Sequence, residues 1–99
     1  MLNIKKELNG AELTVALEGR LDTTTAPKFE NEIKESISGV KELVIDLAKL
    51  VYISSAGLRV LLSAQKKMNV QGSMVVRNAS EEVKEIFEVT GFADILTLE

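Results

Sequence analysis

Leu43-Val44-Ile45 is a short, unbroken apolar run, and it lies between two stretches with helical periodicity. Three adjacent apolar residues without alternation are expected of a strand covered on both faces. On one side, "TTTAPKFENEIKESISG" (23–39) repeats Phe29, Ile33 and Ile37 at intervals of four, which gives one apolar stripe. Pro27, the only proline, suits the first helical turn, where its missing N–H is not needed, and Gly39 is a suitable stop. On the other side, "SAGLRVLLSAQKKMNVQG" (55–72) places Leu58, Leu61, Leu62 and Gln65 at i, i+3, i+4 and i+7. Arg59, Ser63, Lys66 and Lys67 fall mostly on its opposite side. A helix–strand–helix order of this kind implies right-handed crossovers and parallel pairing.

The flanks complete the pattern. Leu13, Val15 and Leu17 alternate with Thr14, Ala16 and Glu18, the period of a half-buried strand. Asn9-Gly10 separates this run from "LNIKKEL" (2–8) and predicts a tight antiparallel hairpin. "SMVVR" (73–77) reads as another strand. "SEEVKEIFEVTG" (80–91) reads as a helix capped by Asn78 or Ser80, with Glu81 and Glu82 in the turn where negative charge is favoured. "ILTLE" (95–99) is expected to add a last short strand. The predicted architecture is therefore α/β: a mixed β-sheet that starts with an N-terminal β-hairpin, continues through βαβ units, and carries helices packed on it. At 99 residues, without linker, repeat or low-complexity segment, residues 1–99 are read as one domain.

Composition removes several kinds of function. The chain has no His and no Cys. Ser-His-Asp and Cys-His catalysis, thiolate chemistry and His- or Cys-based metal sites are therefore excluded. No enzyme activity and no cofactor are expected. A net charge of -3 and aromatic residues at 4% argue against nucleic-acid binding, which needs a basic surface and stacking rings. The first ten residues have no apolar core of a signal peptide, and no run approaches the ~18 apolar residues of a membrane span, so no membrane insertion is expected and the cytoplasm is the expected compartment.

In a parallel sheet, binding sites gather beyond the carboxyl ends of the strands. Three turns are expected there: "GRLDTTTAP", "AKLVYISSAG" and "RNAS". Asp22, Thr23, Thr24, Thr25, Ser54, Ser55, Arg77 and Asn78 would then share one rim. Each has a plain alternative. Ser54 or Ser55 suffices as a helix N-cap. Asp22 and the threonines are ordinary turn residues. Asp46 suits a buried carboxylate with satisfied partners, and Arg59, Lys66 and Lys67 suit a solvated helix face. The functional reading is an exposed hydroxyl at a helix N-terminus, where a phosphate is well tolerated. Gly57 would leave room there for a second molecule to approach.

At "ELVIDLAKLVYISSAGLRVLL" the chain resembles the STAS family, the sulfate transporter and anti-sigma factor antagonist domains, and most closely the stand-alone bacterial antagonists. "VALEGRLDTTTAPKFENEI" is similar to the family's second strand, Gly-x-Leu-Asp turn and first helix, and "VTGFADILTL" to the end of its third helix. The resemblance spans nearly the whole chain and implies a STAS-like fold. It also implies a protein-binding regulator that docks on an anti-sigma factor kinase and is switched off when that kinase phosphorylates a serine. A metal-dependent phosphatase of the PP2C type reverses the modification. ATP and metal belong to those partners. The resemblance puts the modified residue at Ser55, with Ser54 a second candidate. Partner-binding positions are expected at Asp22, Thr23, Thr24, Ser54, Ser55, Ala56, Gly57 and Arg59. The family motif often reads Asp-Ser-Ser/Thr-Gly, so Ser54 and Ala56 depart from it. The alternative is a STAS subunit that docks constitutively, without phosphorylation, in a lipid-transport ATPase complex or a stressosome.

Overall fold

A computed structural model describes residues 2–99. Four strands form one sheet in sequence order: β1 (Leu2–Asn9), β2 (Glu12–Leu21), β3 (Glu42–Ile53) and β4 (Ser73–Arg77). β1 pairs antiparallel with β2, while β2, β3 and β4 run parallel. Helices α1 (Ala26–Ser36), α2 (Ser55–Gln71) and α3 (Glu81–Thr90) follow β2, β3 and β4, as the periodicity predicts. Ser80 caps α3, accepting from the Val83 N–H at 3.2 Å.

The hairpin forms one residue later than Asn9-Gly10 suggests. Asn9 pairs with Glu12, so the loop is Gly10-Ala11. Of the two, Gly10 alone has positive φ, at 61°, which is the requirement of a two-residue turn with glycine in its first position. The last segment also differs from expectation. Phe92–Asp94 form a short 3-10 helix, and the expected strand over 95–99 reduces to one bridge between Val76 and Leu98. The Thr97 carbonyl accepts from the Val76 N–H, and the Glu99 N–H donates to the Val76 carbonyl, which uses up the pairing.

One face of the sheet carries the core. Leu13, Leu43 and Met74 form one register row on it and Val15, Ile45 and Val76 another, with Leu17 and Leu47 also in the core above them, where the register shifts. Phe29 and Ile33 of α1, Leu58, Leu61 and Met68 of α2, and Val83 and Phe87 of α3 join the same cluster. Because spatial and sequence order coincide, every right-handed crossover steps the same way and sets its helix on the same side. Helices therefore cover one face only, yet the Leu43-Val44-Ile45 run is buried on both faces, as its unbroken apolar character leads one to expect. Val44 is buried on the opposite face beside its in-register neighbours Thr14 and Val75, and it is no part of the core cluster.

The lower ends of the three parallel strands are level, since Glu12, Glu42 and Ser73 share one register row. Gly72 makes this possible. A Cβ at Gly72 would stand 2.0 Å from the Lys41 carbonyl oxygen, the group that accepts the Ser73 N–H at 2.9 Å. Gly72→Ala must therefore push apart two backbone segments that begin β3 and β4. We expect a loss of about 1–3 kcal/mol, seen as a fall in Tm of roughly 5 °C or more. An unchanged Tm would show that the contact yields without cost.

Candidate functional site at the N-terminus of helix α2

The upper ends of β2 and β3 are also level, because Leu21 pairs with Ile53. From there the chain turns into α2. The Ser54 N–H donates to the Leu21 carbonyl at 2.8 Å, which ties the start of the turn to β2. Ser54 takes the extended conformation of an N-cap, and its hydroxyl accepts from the Gly57 N–H at 3.4 Å. Ser55 is the first helical residue and is exposed. Among the described residues its hydroxyl has no side-chain hydrogen bond. The two adjacent serines thus differ in task. Ser54 caps the helix, and the Ser55 hydroxyl is open to solvent at the positive end of the helix dipole.

Gly57 is buried. A Cβ there would meet Leu21 Cγ at 2.6 Å and Ile53 Cγ1 at 3.0 Å. The close approach that Gly57 permits is therefore made by the domain's own strands, not by a second molecule as the sequence suggests. Ala56 is half-buried and Arg59 exposed. Thr23, Ala26, Pro27, Glu30, Ala56, Arg59 and Val60 line a shallow groove between the starts of α1 and α2.

Asp22 follows β2 at the same level as Ser54. Its Oδ1 accepts from the Thr24 hydroxyl at 2.7 Å and from the N–H groups of Thr24 and Thr25 at 3.0 and 3.1 Å. The Thr25 hydroxyl accepts from the Asp22 N–H at 2.8 Å and donates to the Arg20 carbonyl at 2.9 Å. The turn into α1 is thus built around one carboxylate oxygen. Asp22 Oδ2 lies 3.9 Å from Arg20 Nε. Thr23 and Thr24 are exposed beside it.

The third expected turn does not reach this rim. Arg77 pairs with Asp46, not with Ile53, so β4 ends seven residues below the top of β3. At about 3.3 Å per residue this is a separation on the order of 20 Å. Arg77 instead binds Glu99, Nη2 to Oε1 at 2.7 Å, and Asn78 donates to Asp46 at 3.2 Å. Asp46 is half-buried rather than buried, and it also accepts from the Ala48 N–H at 2.9 Å. Two rim residues escape the sequence reading altogether. Arg20 stacks over the Tyr52 ring with 4.3 Å between guanidinium carbon and ring centroid. They are cross-strand partners separated by 32 positions, and no local pattern joins them.

With this geometry in view, the comparisons with known proteins are decisive. The STAS domain profile matches residues 3–99. The chain belongs to the STAS domain family. It is 39% identical over 85 residues to BtrV of Bordetella bronchiseptica, whose name marks it as a candidate anti-sigma factor antagonist, covering 84% of this chain and 73% of that one. It is 32% identical over 97 residues to the anti-sigma-B factor antagonist of Listeria monocytogenes, covering 94% of this chain and 83% of the relative. A solved anti-sigma factor antagonist from Mycobacterium paratuberculosis shares the fold, with a TM-score of 0.90 at 23% identity, over 99% of this chain and 85% of the other. These STAS relatives are regulators rather than enzymes. Among the described residues no helix is long and apolar enough to cross a membrane.

The Thr24 hydroxyl, then the N–H groups of Thr25 and Thr24, hold the Asp22 carboxyl below the usual aspartate range. A carboxyl whose folded pKa is depressed stabilises the fold above its unfolded pKa and loses that contribution as pH falls through the folded one. We expect Asp22→Asn to lower Tm at neutral pH. The gap to wild type should shrink once pH drops below the ordinary aspartate pKa. A gap that stays constant over that range would mean the charge on Asp22 is not what holds the turn.

Proposed function

We propose that this STAS domain is an anti-sigma factor antagonist. It binds an anti-sigma factor that is itself a serine kinase, in the cytoplasm, and frees the sigma factor. Phosphorylation of Ser55 switches it off. The observation that supports this reading best is the division of labour at 54–55: one serine is occupied as the cap, and the next presents an exposed hydroxyl with no side-chain hydrogen bond among the described residues. In the transfer, Ser55 Oγ forms a bond to the γ-phosphorus of ATP, the bond to the bridging oxygen breaks, and ADP leaves. The hydroxyl proton passes to a base of the kinase. Hydrolysis of the ester by a PP2C-type phosphatase restores the hydroxyl. The rim formed by Asp22, Thr23, Thr24, Ser55, Ala56 and Arg59 is the docking surface, with Ser54 and Gly57 shaping it from beneath.

The physical basis of the switch is a local charge. A phosphate adds about -1.5 to -2 units at the helix N-terminus. The first-turn N–H groups and the dipole favour it there, so the fold survives. In the complex the same charge must be desolvated or must face acidic groups, at a cost of several kcal/mol. A penalty of ~3 kcal/mol weakens binding more than a hundredfold.

We expect Ser55→Ala to bind the purified kinase as wild type does and to accept no phosphate. Ser55→Asp should bind poorly while its circular dichroism spectrum stays native. Phosphosite mass spectrometry of the protein from its own host should find the phosphate on Ser55. An unmodified Ser55, with a partner still bound, would point to the constitutive STAS subunit instead. Phosphate on Ser54 would move the acceptor by one residue and contradict the cap assignment.

A further inference from the structure

Beyond the rim, the upper corner of the sheet carries a second surface feature. Arg20 and Tyr52 sit opposite each other on β2 and β3, one residue before Leu21 and Ile53. Leu21 and Ile53 are buried in the core, so Arg20 and Tyr52 immediately before them turn to the other face, and a register shift just below leaves Val51 unpaired between Leu50 and Tyr52. There Tyr52 is 37% exposed even under the guanidinium, and its neighbour Val51 is 64% exposed. Large apolar groups held open at the edge of a docking surface are candidates for contact. Arg20 is stacked on Tyr52 but loosely paired. Its nearest carboxylate oxygen, on Asp22, is 3.9 Å away, and that residue's other oxygen is committed to Thr24 and Thr25. Among the described residues the Arg20 guanidinium donates no hydrogen bond to a side chain.

We propose that Arg20 and Tyr52 form a preassembled binding hot spot. On this reading the docked anti-sigma factor kinase extends from the N-terminus of α2 around the corner onto the open sheet face. The inference rests on the function proposed above and adds the partner's chemistry to it. Tyrosine and arginine are, with tryptophan, the residues enriched among binding hot spots. Stacking fixes both side chains before the partner arrives, so little rotamer freedom is lost on binding. The complementary surface carries an acidic side chain that takes the free donors of Arg20, beside an apolar patch that covers Tyr52 and Val51. Charge points the same way. Arg20 and Arg59 are exposed cations at the site, whereas Asp22 is tied into its own turn and Glu30, in the groove with Arg59, pairs with Lys34. An acidic partner face would also be repelled by a phosphate on Ser55, which links the hot spot to the switch.

The test is isothermal titration of each serine-kinase-type anti-sigma factor of the host, purified, with wild type, Tyr52→Ala, Arg20→Glu and Ser55→Asp. Melting temperatures are recorded alongside. Both corner variants should melt within a few degrees of wild type. Tyr52→Ala and Arg20→Glu should each weaken binding about thirtyfold or more, the range of interface hot spots. Tyr52→Phe, which keeps the ring, should bind as wild type. Higher salt should weaken wild type more than Arg20→Glu. If Tyr52→Ala and Arg20→Glu both stay within twofold of wild type while Ser55→Asp loses binding, the corner is outside the footprint and the proposed function stands. If wild type binds none of the kinases, the function falls and the hot spot with it.

Discussion

The contact of Gly57 with Leu21 and Ile53 is the constraint on which the functional end of the domain depends. These two side chains close the core at the tops of β2 and β3, and α2 must begin directly over them. With any side chain at 57, either Leu21 and Ile53 must repack or the first turn of α2 must lift. Lifting would strain the hydrogen bond from the Ser54 N–H to the Leu21 carbonyl on which the N-cap rests. Adding even one methyl to a close-packed site costs roughly 1–3 kcal/mol. A small residue is thus demanded from below, by packing, in the first turn of the helix that presents Ser55.

The same contact explains why the rim is a fixed platform. Ser55 is held by the helix it starts, that helix by Gly57, and Gly57 by residues buried at the top of the core. Asp22 reaches the same level by a separate route, through the turn organised around its own Oδ1. Two independently braced turns therefore meet at the level of the Leu21–Ile53 pair. A surface braced in this way can change its affinity through charge alone, because a phosphate on an exposed hydroxyl asks nothing of the packing underneath. The upper end of β4 illustrates the contrast. At Arg77 and Asn78 the polar groups are consumed by Glu99 and Asp46, and little is left to offer a partner.

Much of this was legible in the residues, and the misses have definite physical causes. The alternation of Leu13, Val15 and Leu17 and the stripes Phe29–Ile33 and Leu58–Leu61 report burial directly, and they locate the strands and helices correctly. A serine cap at 54–55 is local chemistry and is equally visible, although which of the two serves is settled only by the structure. Strand length is not visible. Nothing in "SMVVR" says that β4 ends beside Asp46, so Arg77 and Asn78 could not be removed from the rim until the register was seen. That helices lie on one face only follows from strand order, and the burial of Leu43, Val44 and Ile45 does not reveal it. Gly57 reads as an invitation to a partner because the sequence does not reveal that Leu21 and Ile53 already fill the space. The Arg20–Tyr52 stack is a long-range pairing and leaves no periodic trace.

The central claim is that the domain is switched at its surface while its fold stays as it is. Amide proton–nitrogen spectra of the unmodified and the Ser55-phosphorylated protein test it most directly. The account predicts shifts confined to the first turn of α2 and to the turn at Asp22–Thr25. The amides of Val15, Ile45, Leu61 and Phe87 should stay in place, with undiminished protection from hydrogen exchange. Shifts spread through those core positions, or a loss of their protection, would contradict it and make phosphorylation a conformational rather than an interfacial switch.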